Sequence, residues 1–309
     1  MTTDLMLSSI QEVSESFVLS KIQFLVDVHL WPDRQVLDPG SWLRNFNASE
    51  RRHALNLLNV FLYVSDPLVD AIFRSAIQSL SASITANSIS LSDAKAHWRS
   101  FLATVLITYV EGESPNPTDS GVLFARKARQ VLSIDEGQIR SPIEALLELT
   151  RDPSIPILLV DDFVGGGSQI CATWSRPYEI APGRRASYLN AATSGASITY
   201  TPLIATSHGL DAISEKYPEL RIFPAHILGA QYSLTDPQSM LWPDSLRSSA
   251  DDFLYEASRR AGIVDDSEYG WKGYHDLSLP LAFSHSVPDS TLPLYFWENK
   301  GWAPLIRRT

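Results

Sequence analysis

The chain holds a single cysteine, Cys171, so no internal disulfide can form. Its stability must come from packing, which fits a reducing compartment. Positive charge is also scarce: 25 Lys and Arg stand against 35 Asp and Glu, a net charge of −10 at pH 7. A broad nucleic-acid surface needs clustered cations, and this balance argues against one. A small anionic ligand held by a few local groups remains compatible with it. No apolar run reaches the roughly 18 residues of a membrane-spanning helix. Met1–Ile10 carries Asp4 and no basic start, unlike a secretory signal. The expectation is a soluble cytoplasmic protein. No His and Cys cluster has zinc spacing, no Gly-x-Ser-x-Gly elbow of a serine hydrolase is present, and no internal repeat is visible.

What is present is a chain of 309 residues, 44% of them hydrophobic, enough for a sizeable core in one or two domains. The first 95 residues read as a helical layer. Ser16–Val28 has apolar residues near helical spacing, and Ser49 is placed to cap a stretch striped by Ala54, Leu57, Leu58, Phe61 and Leu62. Asp66-Pro67 opens a third helix, and Ser81–Leu91, rich in Ser and Thr, reads as a loop. From residue 96 to 309 the pattern changes. Phe101–Val110 is β-branched and aromatic, a strand. Val122–Leu132 and Pro142–Thr150 read as helices, Ile157–Val160 as a strand, and Ser168–Ser175 as a helix start. Ile198–Ala205, His208–Lys216 and Leu220–Ile227 read as strand, helix and strand. Strands alternating with helices at this spacing indicate an α/β fold with a mainly parallel sheet, whose ligands bind at the C-terminal strand ends. The tail, Pro280–Thr309, is rich in Pro and aromatics and is expected to fold back on the core.

One run carries the most chemistry: Ile157-Leu-Leu-Val160, then Asp161-Asp162-Phe163-Val164, then Gly165-Gly166-Gly167-Ser168-Gln169. Four apolar residues fit a buried strand. Glycines let the backbone approach a ligand, and a helix that follows them offers free N–H groups to an anion. Two acids ahead of the turn suit the neighbouring hydroxyls of a sugar. A Walker A loop is excluded because Ser168-Gln169, not Lys followed by Ser or Thr, comes after the last glycine. The dinucleotide fingerprint is excluded because its third glycine would fall at Ile170.

The run resembles the phosphoribosyl-diphosphate (PRPP) signature of type I phosphoribosyltransferases. That resemblance implies that Asp161 and Asp162 take the ribose hydroxyls and that Gly165–Gln169 take the 5′-phosphate, with Phe163 and Val164 lining the approach. Gly166 and Gln169 stand where that family commonly has Thr. A narrower resemblance spans most of the chain. Trp42-Leu43-x-Asn45-Phe46 with Glu50, Pro117-Thr118-Asp119-Ser120-Gly121, the central run, Thr291-Leu292-Pro293-Leu294 and Trp302-x-Pro304-Leu305 occur in this order. Together they are similar to the phosphoribosyltransferase-like proteins of bacterial conflict systems (PRTase-CE). The resemblance implies a type I phosphoribosyltransferase-like sheet flanked by helices, with the N-terminal helical layer and an aromatic C-terminal extension. It also implies a phosphorylated ribose or nucleotide ligand, Mg²⁺ brought in with PRPP and met by Asp161 and Asp162 only indirectly, an effector or accessory role in anti-phage defence, and a protein partner from the same locus. The alternative is a non-catalytic module that binds a sugar phosphate or nucleotide and docks a partner.

Around this site, Glu111–Gly121 follows a strand as a pyrophosphate loop would, and Thr118, Asp119 and Ser120 are its candidate ligands or helix caps. His208 follows the strand Ile198–Ala205 at the same sheet edge, as a base contact, a proton-transfer group or a helix cap. Arg126, Lys127 and Arg129 read as a solvated helix face, and Arg184-Arg185 as a surface loop. Cys171, His285, Trp42, Trp297 and Trp302 read as packing or structural residues.

Overall fold

The structure is a computed structural model, which describes residues 12–112, 121–263, 270–299 and 301–308. Thr118, Asp119 and Ser120 therefore lie outside the described residues. In chain order the first elements are α1 (Glu15–Asp27), α2 (Pro39–Leu43), α3 (Arg51–Val60), β1 (Leu62–Val64), α4 (Asp66–Thr85) and α5 (Leu91–Thr104). Then come β2 (Leu106–Tyr109), α6 (Gly121–Leu132), α7 (Pro142–Arg151), β3 (Ile157–Val164), α8 (Ser168–Ser175), β4 (Tyr178–Ala181), β5 (Arg184–Ala186) and α9 (Tyr188–Thr193). The remainder are β6 (Ile198–Thr206), α10 (Ser207–Lys216), β7 (Arg221–Ile222), β8 (His226–Leu228), α11 (Asp244–Arg247), α12 (Ala250–Ala261) and β9 (Leu281–Phe283). Among the described residues no helix is long and apolar enough to cross a membrane.

Two compact units form, Val69–Leu228 and the discontinuous pair Met1–Leu68 with Gly229–Thr309. The first holds the α/β sheet, ordered β2-β3-β6-β7 with β8 also on β6, every pairing parallel. Helices cover both faces. Ile157 and Leu159 share one face with Ala145 and Leu146 of α7, Ile170 and Trp174 of α8, Tyr188 of α9 and Ile213 of α10. Strand alternation sends Leu158 and Val160 to the other face. There α6 packs, its Phe124 edge-on to Phe73 of α4 at 6.2 Å between ring centres.

The other unit buries a cluster of aromatic residues around the tail. Trp42 donates from Nε1 to the Leu294 carbonyl (2.8 Å) and stacks on Tyr295 at 5.8 Å. Asn45 exchanges two hydrogen bonds with Ala303, at 2.7 and 3.0 Å. β1 and β9 pair in parallel, Leu62 opposite Leu281. Trp42, Trp302 and the partly buried Trp297 thus pack as expected. Two of the short sequence motifs, Trp42–Phe46 and Trp302–Leu305, meet in this core as structural partners. His285 lies beside Phe283, with ring centres 5.3 Å apart.

Several local expectations are corrected. Ser49 does not cap α3; its N–H and hydroxyl both donate to Asn47 Oδ1. Ser81–Thr85 is helical, because the Ser81 and Thr85 hydroxyls bond carbonyls a turn earlier and so stop competing with the helix. Phe101–Thr104 ends α5 rather than starting a strand: Ser90 caps that helix, accepting from Asp93 N at 3.1 Å, and carries it past Phe101. Leu220–Ile227 is two short strands. Pro224 has no N–H to donate, and the chain crosses this gap by Phe223 N to Tyr200 O (2.8 Å) and Ala225 N to Leu203 O (3.1 Å). Arg184-Arg185 is an exposed edge of the β4–β5 hairpin rather than a loop, turned at Gly183 with φ +72°.

Candidate functional site

β3 is longer than its apolar run: it continues through both acids to Val164. β2 stops at Tyr109, opposite Val160, while β6 accompanies β3 to Val164 opposite Ala205. The acid pair therefore lies just past the end of one neighbouring strand, at the C-terminal sheet edge where such folds bind ligands. Both acids are buried, Asp161 at 4% and Asp162 at 7% exposure. The Tyr200 hydroxyl donates to Asp161 Oδ2 (3.0 Å), and the Asp162 N–H donates to Asp161 Oδ1 (3.0 Å). Burial first, and the adjacent Asp162 charge second, push the Asp161 carboxyl well above the usual carboxylate range. Burial and the Asp161 carboxylate push the Tyr200 phenol up as well.

Gly165, Gly166 and Gly167 then turn the chain into α8. Gly167 caps that helix at φ +82°, a left-handed conformation natural to glycine, and no side chain accepts from its first turn. Packing demands glycine here too. A Cβ on Gly167 would lie 2.8 Å from Ile213 Cγ1, and one on Gly209 would lie 2.2 Å from the Gly165 carbonyl oxygen. Thr206 completes the junction: its hydroxyl donates to Gly165 O (2.6 Å) and accepts from Gly209 N (2.9 Å), capping α10. Thr206, not His208 or Ser207, is that cap. His208, exposed, sits in the α10 turn that abuts the glycine loop.

A third helix starts at the same edge. Gly121 opens α6 so close to β2 that a Cβ would be 2.6 Å from the Val110 carbonyl oxygen. The N-termini of α6, α8 and α10 thus follow the C-terminal ends of β2, β3 and β6, and their dipoles favour negative charge. Sequence reading missed Tyr200, Thr206 and Gly209 as parts of this edge. Thr206 three residues ahead of Gly209 is a cap signal that was available; Tyr200, an aromatic inside a strand, carries none.

The start of the loop after β2 is tied to α8 by polar contacts. Thr173 exchanges hydrogen bonds with the Glu111 backbone at 3.2 and 3.0 Å. Arg176 pairs with Glu111 (3.0 Å) and donates to the Gly112 carbonyl (2.7 Å), while Tyr178 donates to the same carboxylate at 2.7 Å. Elsewhere on this unit, Lys127 pairs with Asp70 and Arg129 with Glu136 (3.0 Å), so these two cations of α6 have structural partners. Cys171 is half-buried in α8, as expected of a packed thiol. Among the described residues no three His, Cys, Asp or Glu side chains assemble into a metal site.

No curated protein matches the chain. The PRTase-CE family model matches residues 39–308. The buried parallel sheet, the acid pair at its C-terminal edge and that match over most of the sequence agree: the chain belongs to the PRTase-CE family and is phosphoribosyltransferase-like.

Proposed function

We propose that the protein binds a phosphorylated ribose, PRPP or a nucleotide, at the edge formed by Asp161, Asp162 and Gly165–Gln169. The observation that supports it most is the junction of β3 and α8. Two acids carried past the end of β2 are followed within a few residues by a helix N-terminus capped by a left-handed glycine, with no side-chain cap hydrogen bond. Acids suit ribose hydroxyls and the open helix end suits a phosphate. Phe163 and Val164 lie between them, and His208 stands beside the turn. In the catalytic form of this reading, an acceptor nucleophile bonds to ribose C1 while the C1–O bond breaks and its electron pair leaves with pyrophosphate. A carboxylate at this edge would stabilise the positive charge that develops on the ring. Mg²⁺ would come bound to the ligand's phosphate oxygens, since it keeps several waters and needs few protein ligands. Asp161, with both oxygens engaged internally, fits that indirect role rather than direct coordination.

Titration calorimetry with PRPP, ribose 5-phosphate and nucleotides, with and without Mg²⁺, tests the binding. Heat is expected with at least one and should vanish in D161N/D162N. No heat from any of them refutes the proposal. The non-catalytic alternative draws support from Gly166 and Gln169, which supply no hydroxyl where phosphoribosyltransferases commonly have Thr. Pyrophosphate release on mixing with PRPP and candidate bases separates the two. The family resemblance also supports an effector or accessory role in anti-phage defence with a protein partner. Loss of protection against phage in D161N/D162N cells would accord with it, and unchanged protection would remove the site from that role.

A further inference from the structure

The two carboxyls feel each other, but they leave β3 on opposite faces. Asp161 shares a strand face with Ile157 and Leu159 and is directed into the core that holds Trp174, Tyr188 and Tyr200. Asp162 belongs to the opposite face, with Leu158, Val160 and the α6 side of the sheet. Both Asp161 oxygens are engaged, one by the wholly buried Tyr200 hydroxyl and one by the Asp162 N–H, each at 3.0 Å. The second of these bonds replaces a ladder bond. The last β2 pair is Tyr109 with Val160, and Asp162 lies beyond it. On the β6 side, Asp161 faces Pro202, which has no N–H of its own.

We propose that Asp161 and Tyr200 form a positioning pair that fixes the backbone of the second acid, and that Asp162 is the carboxylate that meets the ligand's ribose hydroxyls. This rests on the ribose-phosphate reading above. For Asp161, 4% exposed, to grip the ligand, its carboxyl, turned into the core, would have to swing toward the sheet edge, break the bonds from Tyr200 and the Asp162 N–H, and leave an unpaired phenol behind. The raised proton affinity of Asp161 and of Tyr200 accords with an internal pair that stays uncharged more readily than a solvated acid. The division of labour departs from the pattern in which both acids touch the sugar, and it names Tyr200, on a different strand, as part of the site's support.

Two measurements on the full chain test this. In calorimetry with ribose 5-phosphate and 2-deoxyribose 5-phosphate, wild type should prefer the ribose by roughly tenfold, the scale of one hydrogen bond to a charged group. D162N should erase that preference. D161N and Y200F should keep it while lowering the urea midpoint. In the unfolding cycle, D161N/Y200F should cost no more than the larger single change, because the two groups act as one pair. The proposal is overturned if D161N erases the preference with an unchanged midpoint, or if the two single effects add. If wild type binds neither sugar phosphate, the ribose-phosphate reading falls and with it the ligand role of Asp162. The unfolding cycle then still decides the positioning pair.

Discussion

Replacing Arg176 with Met would keep most of the side-chain volume and remove its charge. The guanidinium now satisfies Glu111 Oε2 at 3.0 Å and the Gly112 carbonyl at 2.7 Å, and lies over the Tyr178 ring at 5.7 Å. The side chains of the ion pair are 19% and 16% exposed, so water replaces little of what is lost. Removing one partner of a buried pair costs about 3–5 kcal/mol, chiefly because the other charge is left uncompensated. The residual exposure here argues for the lower end, about 3 kcal/mol. Tyr178 cannot compensate alone: its phenol already donates to the same carboxylate, and burial together with that bond keeps it protonated. Urea unfolding followed by circular dichroism reads the change as a lowered midpoint at constant slope. R259M is the control, since the Arg259–Glu256 pair is 69% and 53% exposed and exposed pairs contribute about 0–1 kcal/mol. The double variant E111L/R176M should recover part of the loss, because replacing both charges by apolar groups removes the uncompensated one. A loss under about 1 kcal/mol in R176M, or a double variant worse than the sum of its singles, would refute the reasoning.

Other perturbations test the same edge and the second unit. G209A should destabilise by about 1–3 kcal/mol in urea, even though Ala is the better helix former, because its Cβ would fall 2.2 Å from Gly165 O. For pH, the Asp161 carboxyl holds its proton more tightly folded than unfolded, where its value is near 3.8. Its contribution is therefore complete below that value and is lost as pH rises through the higher folded one. The amount by which the wild-type urea midpoint exceeds that of D161N should shrink as pH rises across this range. W42F, which loses the Nε1 bond to the Leu294 carbonyl and leaves a cavity beside Tyr295, should cost about 2–4 kcal/mol by the same assay.

Much of the site's framework was legible in the sequence because its signals are local. Ile157–Gln169 announced a strand, a turn and a helix, and α8 occupies Ser168–Ser175 as read. Local signals failed where a distant partner decided the outcome. The apolar count ended β3 at Val160, but β6 pairs it as far as Val164 and draws the acids into the sheet. Phe101–Val110 looked like one strand because aromatic and β-branched residues favour strands, whereas the Ser90 cap sets the helix that uses its first half. Gly209 gave no hint of its role, since only the folded chain brings the Gly165 carbonyl against it. The two functions of the acids could not be separated by spacing at all. They depend on Tyr200, reached through the sheet rather than along the chain.

The discontinuous unit has a consequence for synthesis. The Tyr295 hydroxyl donates to the Leu57 carbonyl at 3.0 Å across 238 positions of sequence. On a ribosome adding about 5–20 residues per second, Leu57 waits on the order of 12–48 s for that partner. Throughout that interval Trp42, Leu57 and Leu58 are without the tail that buries them, while the whole of Val69–Leu228 emerges and can fold. The nascent chain thus carries an unfinished apolar face upstream of a finished sheet. Holding chaperones should engage its first 68 residues far longer than the 160 that follow.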